Sequence, residues 1–180
     1  QSITTIKEMA FYNNLELESV VIPKNVKLIK TLGFAGSESL STVIIMSENI
    51  TIEKEAFLGC GKLKRVIFAG KEIEVGENVF GECNELENIK VTEEYERNGT
   101  IGDKPIDKNG IIIGECGTTC QYIIETEENK MTVIGEGEMN NYNDGNTPWK
   151  KYISTVTSVR IKSGITSIGS NAFKDCTSIT

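Results

Sequence analysis

The chain has 180 residues, 38% of them hydrophobic, with a formal net charge of −7 and no histidine. That is enough apolar material for the core of one medium domain, and the acidic balance argues against nucleic acid and anionic membrane surfaces as partners. The missing histidine removes Ser-His-Asp and Cys-His nucleophile activation and every imidazole metal ligand.

At the N-terminus, Gln1-Ser2-Ile3-Thr4 has neither the basic region nor the apolar block of a signal peptide. No window approaches the ~18 apolar residues of a membrane helix. A strong internal period follows. Leu17, Leu40, Leu63 and Leu86 stand 23 residues apart. Three positions later come Val20, Val43, Val66 and Ile89, and five later Ile22, Ile45, Phe68 and Val91. Phe34, Phe57 and Phe80 recur seventeen positions on, and Ser37, Cys60 and Cys83 twenty on. The register extends back through Ile6, Ala10 and Phe11 and returns after Val156 with Val159, Ile161, Ala172, Phe173 and Cys176. Gln1 and Thr180 both fall inside a unit, so the chain reads as a fragment or trimmed form of a longer array, with weak head-to-tail self-association expected of its ends.

One unit cannot bury its apolar face alone, so stacked units must build a parallel sheet at ~4.8 Å per strand over a continuous core. Within each unit the expectation is a strand, a turn (Pro23-Lys24-Asn25 in the first full copy), a second apolar pair, and an Ala-Phe pair in a short helical or turn segment. Each Phe should stack on the Phe of the next unit. Residues 1–91 form the first array, 92–110 a connector, 111–155 a cap and 156–180 the start of a second array. Within the cap, 121–126 and 131–134 flank Glu127-Glu128-Asn129-Lys130 and read as a β-hairpin, with Trp149 available to cover an open core.

The segment Val159–Cys176, reading VRIKSGITSIGSNAFKDC, closely resembles the BspA-like class of leucine-rich repeat, whose units read roughly LxxIxIPxxVxxIGxxAFxxC. The Cys-Gly element, the strand around Met131–Ile134 and the Pro148-Trp149 pair are also similar to that family. Among the departures, only Pro23 keeps the proline after the strand. The resemblance implies an α/β solenoid, a right-handed superhelix with a parallel β-sheet interrupted by a β-hairpin cap. It also implies a non-enzymatic cell-surface or secreted adhesion and interaction module, without a cofactor. Its partner would be a host or matrix protein or another cell-surface protein, and this stretch would not insert into a membrane. The alternative is a structural spacer in a larger surface protein whose binding site lies elsewhere.

Candidate site residues follow from the register. Positions between the core-facing ones point outward, which aligns Val21, Ile44 and Ile67 as an apolar stripe beside the basic pair Lys64 and Arg65. Such a stripe marks a partner site, unless its β-branched residues merely suit strands or nearby loops cover them. Asn49 and Asn98 head N-glycosylation sequons in predicted loops. Cys60, Cys83 and Cys176 share one position of the repeat and read as buried packing residues. Cys116 and Cys120 form a local disulfide if the chain is secreted. Asp107-Lys-Asn-Gly110 and Asn141–Gly145 begin like calcium loops, but the later ligands are missing and both read as turns. No catalytic or metal-ligating residues are assigned.

Overall fold

The computed structural model describes residues 3–144 and 146–180. Gln1, on which the reading of a start inside a repeat rests, and Gly145 of the polar loop lie outside the described residues. The chain divides at Asn109/Gly110 into two units.

The first unit is a parallel-sheet β-solenoid. In chain order its strands are β1 (Thr5–Ile6), β2 (Ser19–Ile22), β3 (Leu28–Ile29), β4 (Thr42–Ile45), β5 (Asn49–Ile52), β6 (Arg65–Phe68), β7 (Glu72–Val75), β8 (Ile89–Val91), β9 (Thr100–Ile101) and β10 (Lys104–Asp107). Each turn up to β7 contributes one strand to each of two sheets. The order is β2-β4-β6-β8-β10-β9 in one and β1-β3-β5-β7 in the other. The register repeats the sequence period: Val20 pairs with Val43 and Val43 with Val66, while Ile29 pairs with Ile52 and Ile52 with Val75. The core between the sheets holds Leu40, Val43, Ile45, Ile52 and Val66, all fully buried.

The third side of each turn carries the Phe. Phe11, Phe34, Phe57 and Phe80 form a stacked column with centroids 4.8, 5.1 and 5.7 Å apart. Among the described residues no segment is an α-helix, so the helical half of the α/β expectation is not met. The reason lies in the backbone. The residues two before and two after each Phe have positive φ: Met9 and Asn13, Leu32 and Gly36, Glu55 and Gly59, Asn78 and Glu82, and again Asn171 and Asp175 around Phe173. A helix cannot carry a left-handed residue every fourth position. Amides here alternate instead. Those of Ala35 and Ser37 close local turns on Leu32 and Phe34, while those of Phe34 and Gly36 donate to Ala56 and Leu58 of the next turn.

Residues 92–109 depart from the connector expected of 92–110, because they fold back as the last turn of the first unit. Tyr95 and Ile101 are buried in the solenoid core. Strand β10 pairs with β8 in parallel at Ile106↔Ile89, a step of 17 residues in place of 23. The Lys90–Asp107 ion pair, 2.6 Å, spans that pairing. Gly102 has φ +55°, and a Cβ there would lie 2.9 Å from the Phe80 ring, so the chain passes over the end of the Phe column only as glycine.

The second unit starts with an antiparallel meander of β11 (Ile111–Glu115), β12 (Cys120–Glu125) and β13 (Lys130–Gly135). It continues with β14 (Gly137–Glu138), β15 (Ser158–Ile161) and β16 (Ile165–Ser167). β15 lies parallel on β13, and β16 on β14. Thus β13 and β14 take the places that a preceding repeat would fill. Trp149, fully buried, stands where that repeat would put its Phe. It stacks on Phe173 at 5.9 Å, meets Tyr122 and Tyr142 edge-on, and donates Nε1–H to the Ala172 carbonyl at 3.1 Å.

Two stability outcomes are expected. Phe57→Ala should lower unfolding free energy by about 3–5 kcal/mol through lost burial and the cavity left behind, read as the shift in denaturant midpoint. Glu55→Asn should raise it by about 1 kcal/mol, because asparagine tolerates the left-handed conformation far better and already holds the equivalent place at Asn78.

Candidate functional site

The outward-pointing row of the first sheet is consecutive in register: Val21 pairs with Ile44, Ile44 with Ile67, and Ile67 with Lys90. It is not the exposed stripe expected from periodicity. Ile44 is 3% and Ile67 0% exposed, and only Val21 stays partly open. Neither isoleucine belongs to the solenoid core cluster, so the alternation of faces holds while the exposure does not. Of the basic pair, Lys64 is exposed and Arg65 half-buried.

Open surface lies on the second sheet instead. There Leu28, Thr51 and Glu74 form an outward row while Ile29, Ile52 and Val75 face the core. Glu53 accepts hydrogen bonds from the Thr31 amide at 2.8 Å and the Thr31 hydroxyl at 3.0 Å. These bonds, the amide's foremost, hold its carboxyl below the usual range. A shallow groove of about 480 Å³ runs over this face between Thr31, Thr51, Glu53 and Glu74.

A second cleft, about 310 Å³, lies alongside β7, lined by Ile73, Glu74 and Val75 on one side and by Tyr95, Arg97 and Thr100 on the other. It exists because the shortened last turn returns a strand to the first sheet only, leaving β7 at the margin of the second. Arg97 reaches back across this margin. Its Nη1 donates to the Ile73 carbonyl at 3.4 Å, and its Nη2 is 3.5 Å from the Glu72 carboxylate. Periodicity could not reveal this cleft, since it arises where the period fails.

Both sequon asparagines are exposed, but Asn49 opens strand β5 where a loop was expected, and Asn98 sits in the loop facing β7. Cys116 and Cys120 are paired across the β11–β12 turn, with Cα atoms 5.2 Å apart. Asp107 accepts the Asn109 amide at 2.9 Å and pairs with Lys90, whose hydrogen bond keeps its carboxyl below the usual range. Among the described residues no three Cys, Asp or Glu side chains are grouped to hold a metal ion.

The shared cysteine position has a structural task beyond packing. Ser37 Oγ donates to the Phe11 carbonyl at 2.9 Å, and the Cys60 and Cys83 thiols reach the carbonyls of Phe34 and Phe57 at 3.2 Å. A small donor at this position ties each turn to the Phe of the turn before. Burial pushes the Cys60 thiol up to about 12 and the Cys83 thiol up to about 11, from 9.0. The half-buried Cys176 thiol instead lies 3.7 Å from the Lys174 carbonyl of its own turn.

Comparison with protein families matched the description "BspA type Leucine rich repeat region", in six copies, over residues 1–105 and 151–180. No curated protein and no solved structure matched the chain.

Thiol chemistry checks the placement of the cysteines. Under native conditions at neutral pH an alkylating reagent should modify Cys176 first and leave Cys60 and Cys83 unmodified, with Cys116 and Cys120 reacting only after reduction. Because folding raises the thiol pKa of Cys60 and Cys83, their contribution to stability is complete below about pH 9 and is lost as pH rises toward about 11 for Cys83 and about 12 for Cys60. A denaturation midpoint that stays flat across that window, where a Cys60→Ser, Cys83→Ser variant is also flat, would refute the burial of both thiols.

Proposed function

The chain belongs to the BspA-type leucine-rich repeat family, and on that premise we propose that it is a non-enzymatic adhesion and protein-interaction module, displayed at the cell surface or released outside the cell. The observation that carries the reading is the construction of the second sheet. Successive turns place Leu28, Thr51 and Glu74 in register on an open face, over a continuous buried core. A solenoid of this kind presents a long surface whose side chains sit at fixed spacing, suited to a macromolecular partner. The Cys116–Cys120 disulfide and the exposed sequon asparagines support an oxidising, extracytoplasmic setting. Among the described residues no helix is long and apolar enough to cross a membrane.

The partner class is a host or matrix protein or another cell-surface protein. The purified chain, with its disulfide intact, should bind saturably to one or a few members of a panel of immobilised extracellular matrix proteins. The heat-unfolded chain should not. Brief protease treatment of intact source cells should release fragments of the chain. Absence of saturable binding across the panel would favour the spacer role, and fragments appearing only after cell lysis would reject surface display.

A further inference from the structure

Strand β7 ends its sheet in the middle of the chain, not where the chain begins or stops. The polypeptide continues past it but returns no strand to that sheet. In β7 the amides of Glu72 and Gly76 bond to β5, at the carbonyls of Glu48 and Ile52. Peptide groups alternate sides along a strand, so the amides and carbonyls of Ile73 and Val75 point to the open margin. There, among the described residues, the Ile73 carbonyl accepts a long, part-buried hydrogen bond from Arg97, whose guanidinium also makes a long, exposed ion pair with Glu72. Contacts of that length and exposure are weak and easily displaced. The side chains alternate too: Glu72 and Glu74 are exposed, Ile73 is buried, and Val75 packs against the core.

We propose that the margin of β7 is a docking site for an extended peptide segment, added as a further strand, whose residues alternate between basic and apolar. Backbone groups of Ile73 and Val75 would supply the ladder bonds, as in other strand-addition complexes. Basic side chains of the ligand would extend the outward row of Thr51 and Glu74, where opposite charges on adjacent strands attract. Its apolar side chains would turn toward Ile73, Val75 and the cleft wall at Tyr95. The incoming strand displaces Arg97, a cation already drawn to this margin by the same carbonyl and carboxylate. The proposal rests on the interaction reading above and gives it a place and a ligand chemistry.

The test uses the full chain and a fluorescent peptide, acetyl-(Lys-Val)₃-amide, read by anisotropy. Saturable binding is expected. A peptide of the same composition with its three lysines grouped should bind at least about tenfold more weakly, a difference of ~1.4 kcal/mol. N-methylation of alternate residues should separate the two parities: one set abolishes binding and the other spares it. Loss on methylating the lysines means parallel docking, and loss on methylating the valines means antiparallel docking. Glu72→Lys with Glu74→Lys should weaken binding about tenfold or more, and Arg97→Ala should strengthen it, with circular dichroism showing both variants folded. Equal effects of the two methylation sets, or equal binding of the grouped-charge peptide, overturns the proposal in favour of nonspecific charge attraction. No peptide binding while the chain still captures a matrix protein overturns the β7 site alone. No binding to either overturns the interaction reading as well.

Discussion

Phe11, Phe34, Phe57 and Phe80 stack at 4.8 to 5.7 Å, close to the ~4.8 Å separation of adjacent strands. The coincidence is a constraint on everything else. A ring column and two strand ladders share one chain, so all three sides of each turn must advance by the same distance. A period of 23 residues achieves this only if the corners are sharp. Sharp corners around the Phe are made by two left-handed residues per turn, a conformation that Leu32 and Glu55 adopt against their intrinsic preference. The stacked ring and the inter-turn amide bonds hold them there. Strain at the corner and packing in the column are therefore two parts of one arrangement.

A column that repeats must also stop, and the two units handle this differently. The first shortens its final turn, seals the core with Tyr95 and Ile101, and passes a glycine over the last ring. The second begins with a meander whose last strand imitates a repeat strand and whose Trp149 replaces the missing Phe. The indole suits that role. It covers more area than a phenyl ring, and its one donor finds the Ala172 carbonyl, so burial leaves nothing unsatisfied.

The repeat, its strands and the Phe column were legible in the sequence because each depends on local alternation and fixed spacing. The hairpin strands were placed within one residue of where they stand, for the same reason. What escaped depends on more than one turn. Of the helical and turn readings of the Ala-Phe segment the turn holds, and the sequence marks it unevenly: Gly36, Gly59, Asn13, Asn78, Asn171 and Asp175 suit a positive φ, while Met9, Leu32, Glu55 and Glu82 carry no mark of it. The exposure of Ile44 and Ile67 was misjudged because alternation assigns a side chain to a face but does not say whether that face meets water. Residues 92–109 looked like a linker because the place of the next Phe holds Asp103 and, of their two anchors, Ile101 follows no period. The cleft beside β7 was invisible for a related reason, since it is created by an absent strand.

The imitation of a repeat by β13, β14 and Trp149 has a bearing on how such chains change over generations. The cap reaches β15 and β16 through a step longer than the repeat itself, so it owes nothing to the phase of any array before it. Duplication or deletion of whole 23-residue units inside an array leaves both its starting and closing devices untouched. Array length is thus uncoupled from the chemistry of its ends, and gain or loss of a whole repeat can lengthen or shorten the displayed surface in one event while preserving a foldable product.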